Sequence, residues 1–246
     1  MLYRIEYAAV CHRGKLRPTN QDNYFCCGQY LPADHSGTDA LLKGTFFPKQ
    51  TPLLAVFDGM GGEEHGEMAS YLAAQAMEGQ VMNCRDQSLL DACLTANRNI
   101  VRFAEIHRLN TCGTTAAMLL FNPDGVAQCH IGDSRIYRFR DGQIDQLTRD
   151  DVFPAPGRGK PPLLQYLGIP EAEMCIEPHT AYHEAIINDI YLVCSDGLSD
   201  MVPEHMMADI IRGIPVCEAS ERLLQSALDA GGRDNITFFL IHLLPA

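Results

Sequence analysis

The sequence is poor in positive charge, in paired cysteines and in long apolar runs. Its 19 Lys and Arg residues face 31 Asp and Glu, and the net charge of −12 argues against nucleic acid or an anionic membrane surface as the main partner. None of its 10 cysteines forms a CxxC pair, which argues against a cysteine-based zinc site. No run approaches the roughly 20 apolar residues of a membrane helix, and no signal peptide is expected. Thiols scattered through apolar runs suit a reducing compartment, so we expect a cytoplasmic protein.

Nucleotide-binding loops are missing as well. The glycines that follow Asp58 lack the GK[ST] ending of a phosphate loop and the spacing of the dinucleotide fingerprint. The bulk sequence therefore describes an acidic protein for which a nucleotide, a nucleic acid and a membrane are all disfavoured as partners.

Hydrophobic periodicity predicts an α+β chain that forms one domain over residues 1–246. Strands are predicted at residues 3–11, 53–57, 114–121, 126–131, 135–140, 143–147, 186–194 and 236–244. Helices are predicted in pairs, at residues 67–82 and 88–106 and again at 203–212 and 217–230. Consecutive helices with no strand between them disfavour a regular βαβ fold. The order indicates antiparallel sheets with helices outside, a strand meander within 114–147 and a loop-rich insertion at about 24–52.

Aspartates recur where the strand-like apolar runs begin or end. The motifs are Asp58-Gly59, Gly132-Asp133-Ser134, Asp196-Gly197 and Asp234-Asn235. A fold that places acidic residues at strand ends far apart in sequence gathers them at one point, and gathered carboxylates repel one another unless cations lie between them. Hard divalent ions such as Mg²⁺ and Mn²⁺ prefer such all-oxygen surroundings. The pattern predicts a carboxylate-bound metal site and a hydrolase.

Asp-Gly is also a common hairpin turn. Asp124-Gly125 and Asp141-Gly142 each join two predicted strands, and we interpret them as turns. Asp58 and Asp196 differ, because each follows a buried strand and leads into a helix. Glycine after such an aspartate lets the backbone approach an ion, and its carbonyl oxygen can act as a ligand.

Arg17 lies just before the sequence Asn20-Gln21-Asp22. A lone arginine is usually a solvated surface charge. Beside a carboxylate cluster its guanidinium has a second use, because it can bind phosphate oxygens in a bidentate manner.

Taken in order, the motifs resemble those of a known family. They are Arg17-x-x-Asn20-Gln21-Asp22, Asp58-Gly59-Met60-Gly61-Gly62, Gly113-Thr114-Thr115, Gly132-Asp133-Ser134-Arg135, Ser195-Asp196-Gly197-x-x-Asp200 and Arg233-Asp234-Asn235. Over nearly the whole chain they resemble the metal-dependent Ser/Thr protein phosphatases of the protein phosphatase 2C (PPM) type, in their bacterial form. The resemblance implies a four-layer α-β-β-α sandwich, in which two antiparallel sheets are flanked by helix pairs.

The resemblance implies that Asp58 bridges two Mn²⁺ or Mg²⁺ ions. The carbonyl of Gly59 would bind one of these ions, and Asp196 and Asp234 would hold the other. Two ions that share one carboxylate can activate a water molecule, which attacks phosphorus directly without a phosphoenzyme.

Further residues match supporting positions of the family. Asp133 and Asp200 correspond to ligands of a third, weaker ion, so two or three ions are expected. Arg17 corresponds to the residue that binds the substrate phosphate. The residues that would support the site from behind are Asp22, Gln21 and Asn235.

The resemblance also implies partners. The substrates would be proteins phosphorylated on Ser or Thr, and the enzyme would oppose a bacterial Ser/Thr kinase. We expect a monomer that needs neither nucleic acid nor a membrane.

The sequence departs from the family pattern at three places. Met60 stands where many eukaryotic members carry a histidine proposed as a general acid, and Gln21 stands where others carry Glu. The flap segment, at about 150–167, is short and rich in proline. Its basic residues Arg158 and Lys160 are interpreted as part of a solvated loop, although they could help to receive an acidic phosphoprotein.

Alternatives remain at this point. A non-catalytic pseudophosphatase could act as a binding module, or a phosphatase could serve one dedicated regulatory partner. A metal-dependent phosphodiesterase or nuclease is disfavoured by the acidic surface. Asp58, Asp196 and Asp234 are all present, which favours catalysis.

Overall fold

The computed structural model describes residues 3–60, 65–80, 86–154 and 160–246. The strands are β1 (Tyr3–His12), β2 (Asp22–Cys26), β3 (Leu42–Phe46), β4 (Leu53–Asp58), β5 (Ala116–Asn122), β6 (Gly125–Ile131), β7 (Arg135–Arg140), β8 (Gln143–Gln146), β9 (His179–His183), β10 (Ile190–Cys194) and β11 (Ile236–Pro245). The helices are α1 (Gly66–Ala76), α2 (Asp86–His107), α3 (Asp196–Ser199), α4 (Glu204–Ile211) and α5 (Val216–Asp229). Within these described residues, no helix has the length and apolar character needed to cross a membrane.

The strands form two antiparallel sheets that pack face to face. One sheet has the order β3-β1-β11-β10-β7-β8, and the other has the order β2-β4-β5-β6-β9. Because side chains alternate along a strand, each sheet offers two apolar faces. In β4, Leu54 and Val56 pack between the sheets, whereas Leu53 and Ala55 pack with α1 and α2. Helices α4 and α5 pack on the outer face of the other sheet. The predicted four-layer α-β-β-α sandwich is confirmed.

The predicted meander within residues 114–147 is wrong. Strands β5 and β6 form a hairpin in the five-stranded sheet, whereas β7 and β8 form a hairpin in the six-stranded sheet. The chain leaves the five-stranded sheet at Gly132, whose φ of 96° favours glycine. An added Cβ there would lie 2.7 Å from the Thr115 side chain. Local periodicity identifies both hairpins, but it carries no information on which sheet each one joins.

Other elements also differ from the predictions. The predictions contain neither β2 nor the four-residue helix α3. The segment 24–52, expected to be loop-rich, contains β3, which pairs with β1 at one edge of the six-stranded sheet. Strand β9 pairs with β6 at the edge of the other sheet, and its polar sequence HTAYH gave no strand signal. Helix α1 ends at Ala76 rather than at residue 82, and residues 81–85 lie outside the described part of the chain.

Antiparallel pairing brings the site motifs to one end of the sandwich. The last residue of β4, Asp58, lies opposite the first residue of β2, Asp22. At the same end β6 stops just before Gly132, and β10 stops shortly before Asp196. Strand β11 starts two residues after Asp234. Each of these motifs therefore belongs to a turn that leaves or enters a buried strand.

Candidate metal and phosphate site

A cavity of about 190 Å³ at this end of the sandwich collects the predicted side chains. Its lining includes Arg17, Asp58, Asp133, Asp196 and Asp234. Residues from the two sheets and from both ends of the chain thus face the same small space.

Asp200 borders a second cavity, of about 370 Å³, which shares Asp133 and Asp196 with the first. Burial raises the pKa of Asp200, while the positive charges of Lys160 and Arg135 oppose that rise. The structure therefore brings together the aspartates that the sequence singled out, with Asp200 on the outer side of the group.

Asp58 and Asp22 are acidic side chains on neighbouring strands of the site. Burial raises the pKa of Asp58 to about 7, and the carboxylates of Asp133 and Asp234 add to the rise. Burial also raises the pKa of Asp22, with the charge of Asp58 as the next cause. Since each buried charge disfavours its neighbours, the group favours a cation.

The backbone of Asp58 is fixed by two threonines of the Gly113-Thr114-Thr115 motif. The Thr114 hydroxyl donates to the Asp58 carbonyl at 2.8 Å, and the Thr115 N–H donates to the same carbonyl at 2.9 Å. The Asp58 N–H donates to Thr115 Oγ1 at 3.1 Å. The buried Thr115 and Ser134 hydroxyls lie 2.6 Å apart. These contacts explain why the two motifs accompany the aspartates, a supporting role that sequence reasoning did not assign.

Gly59 follows Asp58 at a point where its backbone passes close to the backbones of Gly66 and Gln21. Its N–H donates to the Gln21 carbonyl at 3.1 Å. A Cβ at this position would collide with the carbonyl oxygens of Gly66 and Gln21, so a side chain cannot be accommodated there without moving the backbone.

Asn235 clamps the loop that carries Arg17. Its Oδ1 accepts from the Gln21 N–H at 2.8 Å, and its Nδ2 donates to the carbonyls of Arg13 and Thr19 at 2.8 and 3.0 Å. The side chain therefore holds the loop at both its ends. The Gln21 side chain points elsewhere and donates to Glu67 Oε2 at 3.2 Å.

Asp22 is tied to the site by Ser195. The Ser195 hydroxyl donates to Asp22 Oδ2 at 2.8 Å, and the N–H of Thr237 donates to Ser195 Oγ at 3.0 Å. This buried chain of hydrogen bonds joins the two sheets directly behind Asp58.

Arg17 lies at the open side of the cavity and is about one-third exposed. Its Nη2 donates to Asp234 Oδ2 at 2.6 Å. The guanidinium is therefore oriented by an aspartate of the cluster, in a position from which it can also contact an anionic group that enters the cavity.

Lys160 is the residue that sequence reasoning missed. Its Nζ forms ion pairs with Asp133, at 2.9 Å, and with Asp196. Burial alone would lower the pKa of Lys160, but the charges of Asp58 and Asp133 outweigh it and the net shift is upward. The Lys160 side chain is half exposed, as expected for a solvated loop, but its ammonium group is ion-paired rather than free, whereas Arg158 lies outside the described residues.

The ammonium of Lys160 occupies a position that calls for positive charge. It bridges two aspartates that the resemblance assigns to metal ions. The second oxygen of Asp133, Oδ1, is buried and has no hydrogen-bond partner. A lysine standing in for a cation, an orphaned carboxylate oxygen and an all-oxygen donor set together fit Mn²⁺ or Mg²⁺.

The flap, at residues 150–167, is anchored at both ends. Arg135 binds the Asp150 carboxylate with Nε and Nη2, at distances of 2.7 to 3.2 Å. The N–H of Leu167 donates to the Thr114 carbonyl at 2.8 Å, and the Thr114 N–H donates back at 2.9 Å. These anchors place Lys160, near the middle of the flap, above the aspartates.

A four-layer sandwich that collects aspartates from both sheets in one cavity is the architecture of metal-dependent phosphatases. The chain belongs to the protein phosphatase 2C family, whose family model matches residues 34–230.

Relatives of known name extend the comparison. The chain is 31% identical over 256 residues to the serine/threonine protein phosphatase PstP of Mycobacterium tuberculosis, and the match covers 95% of this chain. It spans only 44% of the length of that relative. It is also 28% identical to the serine/threonine phosphatase stp of Listeria welshimeri, with 94% of this chain and 92% of the relative covered.

A solved structure gives the same result for the fold. The catalytic domain of serine/threonine protein phosphatase PstP, in complex with two manganese ions, superimposes with a TM-score of 0.79 at 30% sequence identity. The superposition covers 99% of this chain and 100% of that domain.

Proposed function

We propose that the protein hydrolyses phosphoserine and phosphothreonine in proteins, with two or three Mn²⁺ or Mg²⁺ ions as cofactors. The gathering of Asp58, Asp133, Asp196 and Asp234 around one cavity carries this proposal. Membership of the protein phosphatase 2C family and the two manganese ions of the PstP catalytic domain support it.

The placement of the aspartates supports the expected set of metal ligands. Asp58 would contact both ions, the Gly59 carbonyl would bind one of them, and Asp196 and Asp234 would hold the other. When bound, such ions polarise phosphoryl oxygens and lower the pKa of a water molecule, which supplies the nucleophile at neutral pH.

A third position would use the outer aspartates. Asp133 and Asp200 both border the 370 Å³ cavity, and one oxygen of Asp133 is buried without a partner. The residues that would support the ligands from behind are Asp22, Gln21 and Asn235.

The protein's own residues orient the phosphate and set the charge around it. Arg17 would bind two phosphoryl oxygens and offset the charge that builds up on them in the transition state. Met60 also lines the cavity and has no proton to give. His65 is the histidine nearest to Met60 in sequence. Its Nδ1 lies 3.6 Å from Glu67 Oε1, and its side chain is not among those that line the cavity. The leaving group would therefore take its proton from solvent.

The biological setting is part of the proposal. A one-domain, monomeric, cytoplasmic enzyme that opposes a bacterial Ser/Thr kinase agrees with the acidic composition and with the names of the relatives.

A second candidate function has one observation in its favour. The ammonium group of Lys160 pairs with Asp133 and Asp196, as expected of a pseudophosphatase in which an ammonium group takes the place of an ion. Such a protein would bind phosphoproteins without hydrolysing them.

Phosphate release from a phosphothreonyl peptide separates the two functions. Wild type, Asp58→Asn and the turn variant Asp124→Asn are compared with Mn²⁺, with Mg²⁺ and with EDTA. Metal-dependent turnover that falls by at least about 10²-fold in Asp58→Asn alone is expected. Folded wild-type protein that releases no phosphate with either metal would support the pseudophosphatase instead.

A further inference from the structure

A second cluster of side chains that could bind a metal lies beside β6 and β9, and none of its members lines the 190 Å³ aspartate cavity. His130 near the end of β6 and His179 at the start of β9 are directly opposite each other in the antiparallel register. Their rings stack with centroids 4.9 Å apart and planes inclined by 26°. Asp151, the second residue of the flap, completes the group.

The three side chains converge on one point. A ring nitrogen of each histidine and a carboxylate oxygen of Asp151 all lie within 4.8 Å of one another. His179 Nε2 is 2.9 Å from Asp151 Oδ1. The other oxygen of Asp151, Oδ2, accepts from the Gly132 N–H at 3.0 Å, so the carboxylate is held in orientation from behind.

His130 carries the observation that an ordinary packing role does not explain. The side chain is only 3% exposed, and its Nδ1 is buried without a hydrogen-bond partner. Its Nε2 lies 3.1 Å from the Arg149 carbonyl oxygen and 3.3 Å from the Arg149 backbone nitrogen. The shorter contact favours the tautomer in which Nε2–H donates to the carbonyl, and in that tautomer Nδ1 keeps a free lone pair inside the protein. A ring nitrogen fixed by a backbone carbonyl, with the other nitrogen free, is the arrangement found in metal-bound histidines.

The protonation state of His130 agrees with this arrangement. Burial lowers the pKa of His130, although its contact with the Arg149 carbonyl opposes the shift. A neutral imidazole is the form that binds metals.

A hydrogen bond between His179 and Asp151 accounts for only part of the cluster. It satisfies those two side chains but leaves the buried Nδ1 of His130 unpaired, and such buried unpaired groups are rare in proteins. An ion bound to all three residues, with Nδ1 as the ligand atom of His130, would remove this cost.

We propose that His130, Asp151 and His179 form a separate metal site, which binds Zn²⁺ or a similar divalent transition-metal ion. Two imidazoles and one carboxylate suit Zn²⁺, whereas the all-oxygen aspartate cavity suits Mn²⁺ or Mg²⁺. With three protein ligands, one position remains for water. The side chain of His179 is 49% exposed, so an ion can approach from solvent.

Binding of Co²⁺, followed by visible absorption and by calorimetric titration, tests the site without any phosphatase assay. Co²⁺ in a four-coordinate site with imidazole ligands absorbs visible light far more strongly than six-coordinate Co²⁺ among oxygen ligands. Wild type, His179→Ala and His183→Ala are compared, and competition with Zn²⁺ reports the affinity for that ion. His183 is the matched control, because it lies on the same strand and contacts Gln128 instead.

The expected result is a strong visible band in wild type and in His183→Ala that Zn²⁺ abolishes. In His179→Ala the apparent Kd for Co²⁺ should rise by at least about tenfold. Removal of a residue that only hydrogen-bonds a metal ligand already weakens metal binding by about this factor. His130→Gln, checked for folding by circular dichroism, should behave in the same way. Absence of the band in wild type would overturn the proposal. A band of equal strength in His179→Ala would also overturn it, because the ion would then be bound by other ligands, such as cysteine.

Discussion

The cavity has two sides that are held in different ways: a strand-end side, which carries Asp58 and Asp22, and the flap at residues 150–167. On the strand-end side, Asp58 is enclosed by hydrogen bonds from the Thr114 and Thr115 groups, and Asp22 by Ser195. Among its described residues, the flap forms ion pairs with the aspartates through Lys160, whose Nζ contacts Asp133 and Asp196. From this contrast we propose that the strand ends fix the positions of the metal ligands, whereas the flap controls which cation lies between them. Four substitutions, taken from the largest expected effect to the smallest, test this division.

Arg17→Ala should have the largest of these effects. The change removes the phosphate contact from a loop whose position Asn235 maintains, so kcat/KM for a phosphothreonyl peptide should fall by about 10²-fold. The Mn²⁺ concentration for half-maximal activity should change much less. Arg13→Ala is the control, because Arg13 is exposed in the same loop and its side chain contacts only the Pro18 carbonyl among the described residues. Equal losses in both variants would contradict the assignment.

Thr115→Val tests the strand-end side directly. It removes the acceptor of the Asp58 N–H and the buried partner of Ser134, which should cost about 1–3 kcal/mol of unfolding free energy. Urea denaturation measures this loss. Because the two hydroxyls share one contact, adding Ser134→Ala to Thr115→Val should cost less than the sum of the single changes. Strict additivity would mean that the 2.6 Å contact is not energetically coupled.

Lys160→Gln tests the flap. Without the ammonium group, the aspartates lose a tethered cation that competes with metal, so the Mn²⁺ concentration for half-maximal activity should fall by about tenfold, or about 1.4 kcal/mol. In EDTA the variant should be less stable than wild type, because the carboxylates then repel one another unopposed. Lys49→Gln, at an exposed lysine, is the control. An unchanged Mn²⁺ concentration for half-maximal activity would show that displacing Lys160 from the aspartates costs no free energy.

Asp22→Asn should give the smallest effect, and one that depends on pH. Burial raises the pKa of Asp22, so the metal-free folded protein keeps a proton there that the unfolded chain releases near pH 4. Stability linked to this proton is complete below about pH 4 and is lost as the pH rises through the folded-state pKa. The Tm of Asp22→Asn relative to wild type should therefore increase as the pH rises above about 4 in EDTA. A constant difference would contradict the shift, with Asp124→Asn as the control.

Much of the site could be predicted from the sequence because its aspartates mark the ends of buried strands. Asp58, Asp196 and Asp234 each follow or precede an apolar run, and antiparallel pairing then brings those ends together. The polar strand β9 and the crossing at Gly132 could not be predicted, since both depend on which sheet a segment joins. For the same reason the cluster of His130 and His179 is invisible in the sequence, where 49 positions separate its members.

Lys160 escaped prediction for a different reason. A basic residue in a proline-rich loop has no local pattern that distinguishes a solvated side chain from one bound to Asp133 and Asp196. Its position follows from the length of the flap between two anchors, at Asp150 and Leu167, which only the folded chain reveals.

The pairing of β1 with β11 sets the time at which the site can form during synthesis. Tyr3 lies opposite Pro245 in the register, and Asn235 clamps the loop of Arg17. Strand β1 can pair with β3 early, but the ribosome must have produced β11 before β1 gains its partner on the other side. Nascent chains that stop before β11 should lack both the central strand pair and the clamp, so the catalytic centre matures only after the polypeptide segment that closes it has emerged.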